Sequence, residues 1–279
     1  MLERTTKKGN KIFIKVEEKM LARINNIDIH YEIEGPEDAP LVTFSHSLAA
    51  NMDLWELQLP VLRNRYRILR LDTRGHGGSS APPGPYSIEM LATDAIGLLD
   101  LLAVRRTHFV GISMGGMIAQ VLARKYPERI AKLVLCDTVA SVSPEMGPTW
   151  EERIQAAQTG GMEALADQTL ERWLSREFRQ KRPEIADRIR NMILQTSVAG
   201  YTGCCRAIST FDFFDELTGI GAPTLIITGE KDEHAPVSVA ESIQERIAGS
   251  NLAVMPGALH LSNIEAADLF NSRLAEFLA

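Results

Sequence analysis

The chain has 279 residues, 45% of them hydrophobic, with 36 acidic against 30 basic side chains and a formal net charge of −6. A chain of this length buries roughly three quarters of its unfolded surface, enough for one large enzyme-sized core with an insertion. The acidic balance, with no Lys/Arg cluster interleaved with aromatics, excludes a basic nucleic-acid footprint, and no apolar run reaches the roughly 18 residues of a membrane span.

Residues 1–20 are charged throughout and read as an N-terminal extension in which 11–16 alternates polar and apolar side chains like a short edge strand. They lack a signal-peptide apolar region, so a soluble, cytoplasmic protein is expected. Cys136, at the end of a buried-looking strand, and the adjacent Cys204 and Cys205, badly placed to bridge each other, are expected to be reduced core residues.

Beyond Met20, strand-like runs recur at 27–33, 41–45, 66–71, 107–111, 130–136, 223–228 and 251–255, and helical patterns separate most of them. The tight Asn25-Asn26 connection predicts an antiparallel start. After Ser87, a good N-cap, Leu91, Ala95, Leu98 and Leu102 line one helix face. Alternating strands and helices predict an α/β fold with a mostly parallel sheet covered on both faces. The strand rhythm stops between Asp137 and Ala222, where helical stretches appear at 150–159, 162–173 and 183–196. The expected organisation is therefore a sheet domain, 21–137 and 222–279, with a helical cap, 138–221, inserted into it.

Gly111-Ile112-Ser113-Met114-Gly115 places a serine between glycines after an apolar run and before a helical pattern. Such a strand, sharp turn and helix presents a serine hydroxyl as a nucleophile. By itself the spacing arises by chance in roughly one chain in ten of this length, so the partners matter. A serine hydroxyl needs a histidine to take its proton and an acid to orient that histidine. His30 and His108 lie in strands, and Asp72, Arg74 and His76 lie in a glycine-rich turn; all read as structural. His46 and Ser47 follow the strand 41–45 and are candidates to line a substrate pocket. His260 sits in a loop between the last strand and the final helix, where a base belongs, and Asp232 follows the preceding strand. Ser113, Asp232, His260 is the chain order this arrangement requires. Asp137 also ends a strand and is the competing acid. Backbone N–H groups of Leu48 and Met114 are the implied donors to a developing oxyanion.

With these residues in place, the chain after Met20 resembles the α/β-hydrolase superfamily, and within it the 3-oxoadipate enol-lactonases and related carboxylesterases. The resemblance rests on Phe44-Ser45-His46-Ser47-Leu48, Leu71-Asp72-Thr73-Arg74-Gly75-His76-Gly77, Gly84-Pro85-Tyr86-Ser87, the elbow, the cap segment Gly200-Tyr201-Thr202-Gly203-Cys204-Cys205, and His260-Leu261-Ser262-Asn263-Ile264-Glu265. It implies an eight-stranded, mostly parallel sheet and a serine hydrolase that cleaves a carboxylic ester or lactone through an acyl-enzyme. The implied partner is a small-molecule ester or lactone, without metal or organic cofactor, nucleic acid or membrane; a homo-oligomer stays open. The chain departs from the family at His46, Ala49 and Asp137, where Asn, Gly and often Asn are expected. A bulkier, protonatable His46 at the pocket entrance would favour ordinary esters. Arg153, Arg172 and Arg206 are cap sources of a cation for a substrate carboxylate, and Trp150, Trp173, Phe178, Phe211, Phe213 and Phe214 are aromatic lining candidates. The alternatives are a broad carboxylesterase for short-chain esters, perhydrolysis by the same acyl-enzyme, or a small-lactone receptor of the same fold with little turnover.

Overall fold

The computed structural model describes Met20–Ala279 in full and, before them, only two backbone strands, β1 (Leu2–Thr5) and β2 (Lys11–Ile14). These pair with each other in a separate antiparallel sheet rather than along the edge of the main one. Val16, the end of the expected edge strand, lies outside the described residues.

The main sheet has eight strands: β3 (Met20–Ile24), β4 (Ile27–Glu34), β5 (Leu41–Ser45), β6 (Arg67–Leu71), β7 (Thr107–Ile112), β8 (Ile130–Cys136), β9 (Thr224–Gly229) and β10 (Asn251–Met255). Their spatial order is β10-β9-β8-β7-β5-β6-β4-β3. The hairpin β3–β4 turns at Asn25 and Asn26, both at positive φ (48° and 64°), the conformation a two-residue hairpin loop demands and Asn tolerates. β4 also runs antiparallel to β6, and every pair from β6 to β10 is parallel. The central strands are buried on both faces, which is why β5 and β8 read as nearly continuous apolar runs.

The helices are α1 (Leu59–Leu62), α2 (Ile88–Leu101), α3 (Met114–Lys125), α4 (Gly147–Gly160), α5 (Glu163–Trp173), α6 (Arg176–Lys181), α7 (Pro183–Gln195), α8 (Val198–Ser209), α9 (Val237–Arg246), α10 (Ser262–Glu265) and α11 (Ala267–Leu278). Right-handed crossovers set α2, α3 and α9 on one face of the sheet and α1 with α11 on the other. Ser87 caps α2, its hydroxyl accepting from the Met90 N–H at 3.1 Å. Helices α4 to α8 all fall between β8 and β9. The two chain segments leading into and out of them are tied together by Val142 N–H to Phe211 O and Phe213 N–H to Ala140 O, both 2.8 Å.

The inserted helices hold to the sheet domain chiefly through α8. A Cβ on Gly200 would lie 2.0 Å from Gly75 O, and one on Gly203 would meet the Tyr86 ring at 2.7 Å, so the α8 backbone rests directly on the β6–α2 connection. That connection is in turn pinned by Arg74, whose guanidinium donates two hydrogen bonds, 2.7 and 2.8 Å, to Asp94 of α2. Among the described residues no helix is long and apolar enough to cross a membrane.

Candidate active site

Parallel strands β5, β7, β8, β9 and β10 all end on the same edge of the sheet, and the loops leaving that edge under the inserted helices bring the functional side chains together. Ser113 stands between β7 and α3 at φ 55°, ψ −117°, a conformation a residue with a side chain adopts only when its surroundings hold it there. The hold is visible. Ser113 N–H donates to Cys136 O at 2.8 Å, and its carbonyl accepts from Thr138 Oγ1 at 2.7 Å and Gly116 N–H at 2.9 Å. The flanking glycines are sterically required: a Cβ at Gly111 would lie 2.1 Å from Gly115 O, and one at Gly115 would lie 2.3 Å from Ser45 O.

Ser113 Oγ–H donates to His260 Nε2 at 3.0 Å, and His260 Nδ1–H donates to Asp232 Oδ2 at 2.8 Å. Asp232 Oδ1 accepts the His234 N–H at 2.8 Å. Burial works against charge on Asp232, but the neighbouring His260 and the backbone donors hold its carboxyl below the usual range. Burial likewise disfavours the His260 imidazolium, yet the Asp232 charge and hydrogen bond raise the histidine above its ordinary value. Such electrostatics suit a histidine base beside a serine.

The loop carrying His260 is fixed by the residues that follow it. Glu265 accepts from the Leu259 N–H at 2.6 Å and from the Ser175 N–H at 2.7 Å. Asn263 donates to Leu54 O at 3.1 Å. Ser262 Oγ lies 2.6 Å from Asp137 Oδ2. The sequence marks this segment as distinctive without revealing what each side chain reaches.

Asp137 makes no hydrogen bond to His260 among the described residues. Its Oδ1 accepts the Gly229 N–H at 2.8 Å, and its carboxyl is pushed up to about 8 by burial and by the charge of Asp232. It is thus outside the hydrogen-bonded line from Ser113 to Asp232, although it borders the same cavity.

Leu48 and Ala49 border a cavity of about 330 Å³ that opens over Ser113 and His260. Neither Leu48 N–H nor Met114 N–H donates to another group among the described residues, and Met114 opens α3, whose N-terminal dipole favours negative charge. Ser47 also lines the cavity. His46 does not, which corrects the expectation of a pocket residue. It is fully buried, with Nδ1–H donating to Ser47 O at 2.8 Å and Nε2 accepting the Thr73 N–H at 2.9 Å. His76 does similar work, its Nε2 accepting the Ala49 N–H at 3.0 Å. Burial pushes both histidines down, His76 to about 3, so both stay neutral struts of the Leu48 loop and His46 offers no protonatable entrance.

Across the cavity stand Arg153 and Arg172 with Trp150 and Trp173. The Arg153 guanidinium lies 4.7 Å from the Trp150 ring centre, and its buried Nε has no hydrogen-bond partner among the described residues. Arg172 donates to Thr169 Oγ1 at 3.2 Å; burial and the charge of Arg153 push it down to about 10. Neither arginine is paired with a carboxylate among the described residues. Arg206 points elsewhere, toward Glu151 at 3.6 Å. Of the other aromatic candidates, Phe211 and Phe213 stack on each other, buried at the base of the inserted helices, and Phe178 and Phe214 pack against the core without reaching the cavity.

An open-edged parallel sheet with a serine elbow, a histidine and an acid converging beneath inserted helices defines a hydrolase, and the chain belongs to the alpha/beta hydrolase fold family, whose sequence profile matches residues 40–267. It is 35% identical to 3-oxoadipate enol-lactonase 2 of Acinetobacter baylyi over 88% of this chain and 91% of that one. The crystal structure of the enol-lactonase from Burkholderia xenovorans LB400 superposes with a TM-score of 0.90 at 38% identity, covering 93% of this chain and 99% of the other. A thermophilic esterase from Thermogutta terrifontis follows the same fold at 27% identity, with a TM-score of 0.87 and coverage of 94% and 98%.

Proposed function

We propose that this protein is a serine hydrolase of carboxylic esters and lactones that works through an acyl-enzyme, with a carboxylate-bearing enol-lactone of the 3-oxoadipate type as its preferred substrate. The observation that carries the reading is the relay from Ser113 Oγ through His260 to Asp232 beside a cavity also lined by two arginines that have no carboxylate partner among the described residues. Ser113 Oγ attacks the substrate carbonyl as His260 Nε2 takes its proton. The imidazolium is stabilised by Asp232, and the oxyanion is received by the Leu48 and Met114 N–H groups. His260 returns the proton to the leaving oxygen, which in a lactone stays tethered to the acyl group. A water molecule, deprotonated by His260, then attacks the acyl-enzyme and frees Ser113.

The arginines support the substrate class. Two half-buried guanidinium groups bordering one largely apolar cavity repel, as the lowering of Arg172 by burial and by Arg153 records, and a substrate carboxylate relieves that cost. A broad carboxylesterase for short neutral esters would have no use for them, although Trp150 and Trp173 offer apolar surface to such substrates.

Relative kcat/KM for the enol-lactone and a panel of neutral p-nitrophenyl esters tests the reading. The lactone is expected to lead. Replacing Arg153 and Arg172 with Gln raises its KM roughly 10- to 100-fold, the scale of a lost charged hydrogen bond, and leaves the neutral esters nearly unaffected. A preference for neutral esters that survives both substitutions would favour the esterase, and stoichiometric labelling without turnover would favour a receptor.

A further inference from the structure

Two buried carboxyls act electrostatically on His260, and only one of them hydrogen-bonds its ring. Asp232 accepts two N–H donors, the His260 Nδ1–H and the His234 N–H. Asp137, which is 1% exposed, has one N–H, from Gly229, and the Ser262 hydroxyl at the short distance of 2.6 Å. A hydroxyl accepts as readily as it donates, so that short contact can carry the proton of either partner. When two carboxyls share a buried site, the one with fewer donors keeps its proton.

We propose that Asp137 is a protonated positioning residue whose Oδ2–H bonds Ser262 Oγ, pinning the loop that carries His260 without setting a second negative charge beside the imidazole. The proposal rests on His260 acting as the base. Two ionised carboxylates around the ring would favour the imidazolium, which has no lone pair to accept the Ser113 proton. The clamp joins three elements: Asp137 at the end of β8, Gly229 at the end of β9 and Ser262 at the start of α10. The titratable groups facing Asp137 are Asp232, His260 and the adjacent Cys136 thiol, which burial pushes well up. Those facing His260 are Asp232, Asp137, His234 and, from α5, Arg172. The upward displacement of the Asp137 carboxyl agrees with this division of labour.

Infrared difference spectroscopy on the intact protein reads the proton directly and does not depend on turnover. The wild type at pH 7 is expected to show the carbonyl stretch of a buried carboxylic acid, absent from Asp137→Asn and converting to carboxylate as pH rises through about 8. Ser262→Ala, which removes the acceptor of that proton, is expected to shift the same band to higher frequency and serves if Asp137→Asn does not fold. In the pH profile of kcat/KM, Asp137→Asn leaves the acid limb set by His260 in place, because a neutral group has been exchanged for a neutral one, and removes the alkaline ionisation. No carboxylic-acid band at pH 7, or an acid limb moved down by about one unit as expected on losing an adjacent negative charge, overturns the proposal. Loss of all ester hydrolysis on wild-type protein that still shows the band would instead count against the proposed function.

Discussion

At the scale of single residues, Ser113 takes the strained backbone and His260 takes the electrostatic load. Ser113→Ala is expected to cut kcat by about 10⁴-fold or more, as removal of a nucleophile acting within a unit does, with fold stability nearly unchanged. His260 is raised above its ordinary value of 6.5. The neutral base is lost as pH falls through that raised value, so the acid limb of kcat/KM should lie above pH 6.5. Asp232→Asn should move the limb down and lower kcat far more than Asp137→Asn; the reverse ranking would make Asp137 the orienting acid. The elbow serine, the loop histidine and the acid after β9 are legible as candidates because each is a side chain of limited chemistry at a strand end in a required order. Position after a strand does not reveal which way a side chain points, and His46, buried and absent from the cavity lining, is the case in point. Its ring turns inward to satisfy Thr73 N–H and Ser47 O, and burial then keeps it neutral.

At the scale of elements, the periodic strands and the amphipathic helices α2, α5 and α7 could be read from pattern, since each has one face or both faces covered by apolar neighbours. Helix α8 could not. Gly200 and Gly203 lower helix propensity by about 1 kcal/mol each relative to Ala, and Cys204-Cys205 obscures the period. Tertiary contact decides the matter, because the glycines let the helix backbone press against Gly75 and the Tyr86 ring. Gly200→Ala should therefore destabilise the protein by about 1–3 kcal/mol, the scale of an overpacked core, although Ala is the better helix former. A shift of the denaturant midpoint toward higher concentration would show that α8 does not rest on Gly75. The short α6, six residues after Ser175, was likewise missed because so brief a helix holds too few residues for a period to show.

For the whole molecule, stability and catalysis are linked through Asp232 and Asp137, the two buried carboxyls that act on His260. Asp232 is held below its ordinary value, so its contribution to stability is present above about pH 4 and is lost as pH falls further. Asp137 has the opposite sign. Its folded value of about 8 stands above the ordinary 3.8, so its contribution is full below the ordinary value and is lost as pH rises toward 8. The Tm of Asp137→Asn should accordingly gain on that of the wild type between about pH 4 and 8 and then level off; a flat difference would mean that Asp137 is ionised in the fold. Composition and strand order bound the mostly parallel α/β sheet, but pairing across the chain, such as Asp137 with Ser262, or Arg153 and Arg172 on one cavity, exists only once the sheet edge and the inserted helices come together. The central claim is that Ser113 carries the acyl group. Intact-protein mass spectrometry after rapid mixing with a slowly hydrolysed ester should find one added acyl group, located on the peptide containing Ser113, absent in Ser113→Ala and formed much more slowly in a His260→Ala variant. An adduct elsewhere, or full turnover by Ser113→Ala, would contradict it.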